Sequence, residues 1–232
     1  MWFFNPTYMI FMLPAIILMM VAQGYVSSAY RKWSKVPARI RLSGAQAAQR
    51  LLSYRGLQNI RLEGVQGNLT DHYDPAKKVL RLSEGTYNSA SVAALAITAH
   101  ELGHAMQDHE GSLLLRARTA LVPAVNIGSY MGWIFIILGM LLRMTELAWL
   151  GLVVFSLGAV FALATLPVEL DASARAKRLL FETGMITGED ERKGVNHVLN
   201  AAALTYVAGL VAAVMQLLYY TSLVTGMGGR RR

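Results

Sequence analysis

The stretch His100-Glu101-Leu102-Gly103-His104 places two histidines four residues apart, with a glutamate directly after the first. On an α-helix, residues i and i+4 project from the same face, so both imidazoles can reach one metal ion. Glu101 lies one step round the helix, where it can take a proton from a water activated by that ion without being a ligand. The stretch predicts a helix that binds one zinc ion per chain. The alternative interpretation is a chance match on an amphipathic helix.

Long uncharged segments surround this motif. Asp, Glu, Lys and Arg are absent from residues 1–30, 119–142, 147–168 and 198–229. Each segment is long enough to cross a hydrocarbon core of about 30 Å at about 1.5 Å per helical residue. The alternative is that these segments are buried helices of a soluble protein. It is weak, because such helices are shorter and carry a polar stripe. The pattern predicts an α-helical polytopic membrane protein with about four transmembrane helices and a small α+β portion outside the membrane.

The distribution of basic residues predicts the orientation of the chain. Thirteen Lys and Arg residues lie between residues 31 and 118, and five lie between 169 and 197. Because cytoplasmic loops are enriched in Lys and Arg, both polar segments are expected in the cytoplasm. A cleaved signal peptide would carry its basic residues before the apolar run, whereas here they follow it. The first segment is therefore expected to be a retained anchor with its N-terminus outside.

The sequence is thus expected to divide into five segments. They are a transmembrane anchor (1–30), a cytoplasmic α+β portion with the HExxH helix (31–118), a transmembrane hairpin (119–168), a cytoplasmic helix with the third zinc ligand (169–197), and a C-terminal membrane segment with a basic tail (198–232). A single final span would leave Arg230, Arg231 and Arg232 outside. Re-entry and return of residues 198–229 is the open alternative.

The charge and the cysteine content indicate which kinds of partner this protein is expected to have. The net charge is +8, but the basic residues bracket apolar spans and form no platform interleaved with aromatic residues. Membrane lipids are therefore the expected partners of these charges, and nucleic acid is not. The chain contains no cysteine, which excludes disulfides and thiolate zinc ligands. The sequence does not indicate an oligomeric state.

The polar portion before the motif has its own local signals. Ser43 and Gln46 form the pattern of a capping box at a helix start. Residues 78–82 alternate as a strand should, and the helix that carries the motif is expected to be capped by Asn88, Ser89 or Ser91. An edge strand of this small sheet could hold an extended peptide over the metal. A purely structural hairpin at residues 78–83 is the alternative.

A catalytic zinc site needs a third protein ligand. A third histidine six residues after His104 would stand at position 110, which is Glu110. The other cytoplasmic segment opens with Pro167, which can start a helix, followed by Glu169 and Asp171. These two acids lie about 200° apart on a helix, so only one can face the metal. Glu169 is preferred, Asp171 is the alternative ligand, and an acid that merely stabilises the first helical turn is the remaining interpretation.

Several motifs in order resemble the YugP-type membrane zinc metallopeptidases. They are Ala99-His100-Glu101-Leu102-Gly103-His104-Ala105, Pro167-Val168-Glu169-Leu170-Asp171-Ala172-Ser173 and Leu199-Asn200-Ala201-Ala202-Ala203-Leu204-Thr205-Tyr206, with a two-span membrane hairpin between the first two. The similarity covers nearly the whole chain. More remotely, the layout is similar to HtpX and the type I CAAX prenyl proteases, whose zinc sites are also interrupted by membrane spans.

The resemblance implies a gluzincin, in which the two histidines of HExxH and a downstream glutamate bind zinc. That glutamate corresponds to Glu169. In the remote relatives an aspartate usually follows the ligand by four residues, but this chain has Ser173 there. The oxyanion formed during peptide hydrolysis would need a donor, for which His197 and Tyr206 are candidates; a packing role is the simpler interpretation of each.

Three functions are therefore compared. The first is a zinc metalloendopeptidase in the bacterial plasma membrane, with its site on the cytoplasmic side and with peptides or membrane proteins, including misfolded ones, as substrates. The second is a site-2-type intramembrane protease, which would need an aspartate ligand in an LDG-like motif on a later span. The third is a catalytically silent zinc-binding membrane adaptor, against which the intact Glu101 argues. The first is the function we expect.

Overall fold

The computed structural model describes residues 6–228. The first five residues of the expected anchor and the basic tail Arg230-Arg231-Arg232 lie outside this range. In chain order the elements are α1 (Pro6–Trp33), α2 (Gly44–Tyr54), β1 (Arg61–Val65), β2 (His72–Asp74), β3 (Val79–Ser83), α3 (Glu84–Asn88), α4 (Val92–His109), α5 (Leu113–Leu142), α6 (Thr145–Phe155), α7 (Leu157–Glu182) and α8 (Glu189–Gly228).

The described chain forms two compact units. The first, here called the apolar unit, contains residues 6–22, 116–167 and 205–228. The second, here called the α+β unit, contains residues 23–115 and 168–204. The long helices α1, α5, α7 and α8 contribute residues to both units, so the boundaries of the units fall within helices.

Within residues 6–228, four helical stretches are long and apolar enough to cross a membrane. They are Pro6–Trp33, Leu113–Leu142, Thr145–Glu182 and Glu189–Met227. The third stretch combines α6 and α7, which are separated at Ser156. These helices and the small sheet confirm the prediction of an α-helical polytopic membrane protein. Because α8 runs unbroken to Gly228, residues 198–228 form one helix and do not re-enter and return.

Glycines allow α5 and α6 to pack closely in the apolar unit. A Cβ atom on Gly132 would lie 2.8 Å from the carbonyl oxygen of Gly151, and one on Gly139 would lie 2.5 Å from the amide nitrogen of Ala148. Side chains at these positions would force the two backbones apart. Small residues at such contacts are typical of membrane helices, where close backbone approach supplies the packing energy.

The α+β unit contains a three-stranded sheet of described residues in the order β1-β3-β2. β3 pairs in parallel with β1 and antiparallel with β2. Val79, Leu80 and Leu82 of β3 are fully buried, which is why this strand takes the centre. β2 and β3 form an antiparallel hairpin in which β3 is also the central strand of the sheet, so the edge strands are β1 and β2. The role of an edge strand in holding a peptide stays a prediction.

Two local signals read from the sequence appear in the structure. The Ser43 side chain accepts from the Gln46 amide, and the Gln46 side chain accepts from the Ser43 amide, so the capping box at α2 is confirmed. Of the three candidate caps of α4, Ser91 is the one used, since its side chain accepts from the Ala94 amide. α4 thus begins with a satisfied amide at a buried position.

The prediction that Pro167 starts a helix is wrong. Pro167 lies inside α7, ten residues after its first residue Leu157. Proline interrupts the hydrogen-bond ladder of a helix, but membrane helices tolerate it because neighbouring groups compensate for the lost bond. Glu169 is therefore held by a long continuous helix and does not lie in a first turn, which removes the interpretation that it only stabilises a helix start.

Candidate metal centre

The centre of α4 carries the two histidines of the motif. His100 and His104 are 9% and 8% exposed, and their ring centroids lie 4.9 Å apart. Glu101 is 9% exposed. A buried pair of imidazoles and a buried carboxylate are costly unless they have partners. Their burial therefore indicates that these groups have polar partners inside the α+β unit.

α7 brings Glu169 to the two histidines. Its Oε2 atom lies 3.2 Å from His100 Nε2 and 3.4 Å from His104 Nε2. Glu169 is 1% exposed. Among the described residues, His100, His104 and Glu169 form a group whose possible ligand atoms all lie within 4.8 Å of one another. Residues 69 positions apart in the sequence thus meet at one point.

The donor set fits a zinc ion in kind and in spacing. Zinc prefers histidine nitrogen and carboxylate oxygen at about 2.0–2.1 Å in a tetrahedral arrangement, which puts neighbouring donors about 3.3 Å apart. The two donor separations in the structure, 3.2 and 3.4 Å, lie on either side of that value. Three protein donors leave a fourth tetrahedral position, which is the arrangement of a catalytic site.

The second nitrogen of each histidine has a polar partner. Ser173 Oγ lies 3.2 Å from His100 Nδ1, and Gln107 Oε1 lies 3.0 Å from His104 Nδ1. Ser173 stands at the position where the remote relatives carry an aspartate, and the structure places its hydroxyl against a candidate ligand. A partner on Nδ1 leaves Nε2 as the atom that faces Glu169.

Asp171, the alternative ligand from the sequence, is engaged elsewhere. Its Oδ2 atom accepts from Gln107 Nε2 at 2.8 Å and from Arg175 Nε at 2.6 Å. It does not belong to the three-residue group found among the described residues. The helical offset between Glu169 and Asp171 turns the second carboxylate away from the histidines, as the rotation per residue requires.

Nearby carboxylates raise the pKa of His104. Burial alone would lower its pKa, since it disfavours the charged imidazolium. The hydrogen bond with Glu169 and the negative charges of Glu101 and Glu169 outweigh burial and hold the pKa above its ordinary value. The same negative charges that attract a proton to His104 also favour a divalent cation beside it.

Tyr73 contacts the candidate base and was not found from the sequence. Its backbone N–H donates to Glu101 Oε2 at 3.0 Å, and its hydroxyl donates to Asp108 Oδ2 at 2.6 Å. Glu101 and Asp108 are seven residues apart, so they lie on one face of α4. Tyr73 thereby ties the edge strand β2 to that face over two turns. A backbone donor leaves no mark in the sequence, so no pattern could have revealed this contact.

The hydroxyl of Tyr73 remains a donor over the physiological range. Burial raises the pKa of Tyr73 first, and the hydrogen bond and charge of Asp108 raise it further. Lys78 Nζ also lies 2.5 Å from Asp108 Oδ2, which balances the charge of this carboxylate. The contact between β2 and α4 is therefore a charge-assisted hydrogen bond at a fixed position.

The two candidate oxyanion donors are placed differently. His197 belongs to the α+β unit, where its Nδ1 accepts from Trp33 Nε1 at 3.0 Å and its ring centroid lies 5.0 Å from that of Tyr25. These contacts give His197 a packing role between α1 and α8. Tyr206 belongs to the apolar unit and is partly buried. Neither residue is a member of the three-residue group among the described residues.

Gly103 permits the approach of α4 to α7. A Cβ atom on Gly103 would lie 2.5 Å from the carbonyl oxygen of Ala172 and 3.0 Å from its Cα atom. Both neighbours are backbone atoms, so relief would require the helices to separate. Ala172 lies between Glu169 and Ser173, and therefore the spacing of the metal centre depends on this glycine.

Gly103→Ala is expected to lower zinc affinity at least tenfold and to destabilise the protein by about 1–3 kcal/mol through overpacking. Chelator competition and thermal unfolding of the detergent-purified protein measure both effects. Gly24→Ala in α1 is the matched control, because a Cβ atom there meets nothing within 4 Å. Parent-like zinc affinity in Gly103→Ala would show that the helix spacing tolerates a methyl group.

Comparison with known proteins identifies the family of the chain. A family described as "Putative neutral zinc metallopeptidase" matches residues 8–225, so the chain belongs to that family of zinc metallopeptidases. Over 201 residues, it is 44% identical to the "Putative membrane protease YugP" of Bacillus subtilis (strain 168), covering 86% of this chain and 88% of the relative. No solved structure matches the chain. The resemblance read from the motifs is confirmed.

Proposed function

We propose that this protein is a membrane-embedded zinc endopeptidase in which His100, His104 and Glu169 hold one zinc ion per chain and Glu101 is the general base. The observation that supports this most is the meeting of two imidazole nitrogens and one carboxylate oxygen at tetrahedral spacing. Glu101 lies on the same helix and is oriented by the Tyr73 amide. Membership of the zinc metallopeptidase family and similarity to a membrane protease support the assignment independently.

In the proposed hydrolysis, the three ligands hold zinc and Glu101 transfers the proton. A zinc ion in this site would lower the pKa of water toward about 7 and polarise the peptide carbonyl. Glu101 accepts the proton of the attacking water and delivers it to the nitrogen of the leaving amine, so the carboxylate is regenerated in each turnover. Both steps need Glu101 beside the scissile bond, which the Tyr73 amide favours by limiting the motion of the carboxylate. We propose either His197 or Tyr206 as the hydrogen-bond donor to the oxyanion.

The edge strand β2 is the proposed binding place for substrate backbone. Tyr73 directs its amide to Glu101 and away from β3, so it belongs to the outer edge of the sheet. Because the Tyr73 amide is already bonded to Glu101, an extended peptide at this edge would run beside Glu101 and donate its own amides to the carbonyl groups of the strand. Pairing through the backbone suits substrates of varied sequence, such as misfolded or membrane proteins. Membrane lipids are the proposed partners of the basic segments.

We place the site on the cytoplasmic side of the bacterial plasma membrane, because the α+β unit carries most of the basic residues. A site-2-type intramembrane protease fits less well. Asp108, two helical turns after Glu101 on α4, forms an ion pair with Lys78, and charged groups of this kind are expensive within hydrocarbon. The silent adaptor differs in one measurable respect, since it would bind zinc without hydrolysing peptides.

Zinc removal tests the proposal. The detergent-purified protein is expected to cleave casein, to lose this activity when a chelator strips the metal, and to regain it with one equivalent of zinc. Cleavage of added casein by inverted membrane vesicles, but not by right-side-out vesicles, would agree with a cytoplasmic site. Activity that survives complete zinc removal, or a parent protein that binds no zinc, would refute the metal assignment.

A zinc-loaded parent that cleaves neither casein nor membrane-protein substrates would favour the adaptor. Cleavage by right-side-out vesicles would reverse the proposed orientation while leaving the chemistry intact. The two arms of the experiment therefore test the site and its location separately.

A further inference from the structure

Gln107 connects the second histidine to the helix that carries the third ligand. It is 1% exposed and lies almost one helical turn after His104. Its Oε1 atom is 3.0 Å from His104 Nδ1, and its Nε2 atom donates to the Val168 carbonyl and to Asp171 Oδ2, both at 2.8 Å. One side-chain amide thus makes three contacts, two of them with α7.

The contacts of Gln107 define the orientation of its amide. A backbone carbonyl and a carboxylate can only accept hydrogen bonds, so the NH₂ group must face Val168 and Asp171. The carbonyl oxygen then faces His104, which must be the donor through Nδ1–H. With its hydrogen on Nδ1, the neutral imidazole has its lone pair on Nε2, the atom 3.4 Å from Glu169. The amide therefore selects the tautomer that can bind a metal.

The chain of contacts continues to the surface. Asp171 accepts from Arg175 Nε at 2.6 Å, and Arg175 Nη1 donates to Glu110 Oε2 at 2.6 Å. Asp171 and Arg175 are four residues apart on α7, so the carboxylate is held by its own helix. Arg175 keeps Asp171 charged and oriented, and a charged acceptor holds the amide of Gln107 more strongly than a neutral one.

We propose that Gln107 is a positioning residue for His104, with Asp171 and Arg175 as the supports that orient it. The proposal rests on the zinc site of the proposed function and assigns a role to residues outside the HExxH motif and the glutamate ligand. Partners behind ligating histidines typically contribute about 10- to 100-fold in metal affinity, because they hold the ring in the tautomer and direction that the metal requires. Asp171 thereby serves the site without touching the metal.

The test separates positioning from a merely structural link between α4 and α7. In Gln107→Leu, both the acceptor for His104 and the donors to α7 are lost. In the double variant Gln107→Glu/Asp171→Asn, the new carboxylate accepts from His104 Nδ1–H and from the new amide at 171. Both variants leave the Val168 carbonyl without its side-chain donor, so they share that structural loss.

Zinc dissociation constants are measured by chelator competition on the full-length protein in detergent, and the melting temperature of the metal-free protein reports on structure. We expect Gln107→Leu to bind zinc about 10- to 100-fold more weakly than the parent. The double variant is expected to recover at least tenfold of this loss. Gln58→Leu, the same change at an exposed position, should bind zinc like the parent.

Parent-like affinity in Gln107→Leu would overturn the proposal. So would a double variant that binds zinc no better than Gln107→Leu, because a structural link through the amide donors predicts equal losses. Failure of the parent to bind zinc would instead refute the proposed metal site. The two failures are therefore distinguished by the parent protein alone.

Discussion

Glu101→Gln is expected to lower kcat for casein cleavage by about 10²- to 10⁴-fold, the usual contribution of a positioned general acid–base. Glutamine has the size of glutamate and keeps an oxygen that can accept the hydrogen bond from the Tyr73 amide, so the local structure should persist. It cannot take a proton from water at neutral pH. Because Glu101 is outside the three-residue donor group, bound zinc should remain at the parent level.

The measurement is kcat with zinc content determined on the same preparation. Glu63→Gln is a suitable control, since Glu63 is a partly exposed residue of β1 that pairs with Arg81. Equal activity in the parent and in Glu101→Gln would point to a contaminating protease or to a different base. Loss of zinc together with activity would show that Glu101 holds the metal, contrary to its proposed role.

Glu169→Ala is expected to cost zinc affinity a hundredfold to several thousandfold. Zinc binding by small protein sites is worth about 10–16 kcal/mol, and one of three ligands carries roughly a third of that, about 3–5 kcal/mol. Removal of the carboxylate also leaves two buried imidazoles without the oxygen that lies within 3.4 Å of both. Protease activity should disappear at zinc concentrations that saturate the parent.

Asp171→Ala is the matched comparison, because the same kind of side chain is removed two residues away on the same helix. Its zinc affinity should fall only about tenfold, since Asp171 acts through Gln107. The reverse ranking, with Asp171→Ala losing more zinc than Glu169→Ala, would make Asp171 the ligand. Chelator competition on both variants decides between the two carboxylates.

Part of the site could be read from the sequence because its geometry is local. The spacing of His100 and His104 places both rings on one helix face, and the capping pattern of Ser43 and Gln46 depends on four residues. The membrane spans follow from the length and composition of uncharged segments. The error at Pro167 has a physical cause: the rule that proline starts helices weakens inside membranes, where neighbouring groups replace the missing bond.

Other parts depend on contacts between distant segments. Tyr73 meets Glu101 through a backbone amide 28 residues away, and Gln107 reads in the sequence as an ordinary polar residue of an amphipathic helix. The order of the strands could not be predicted from the sequence either, because the alternating residues of β3 are compatible with an edge strand or with a central strand.

The sequence by itself determined that one helix carries two histidines on one face with a glutamate beside them, and that this helix belongs to a membrane protein. Periodicity and segment length are properties of the chain alone, so they need no tertiary information. Only the tertiary structure decided how Glu169 meets the two histidines and which partner each imidazole has. The physical reason is the backbone contact at Gly103 and Ala172, where close packing brings α7 against α4 and sets the positions of all three donors.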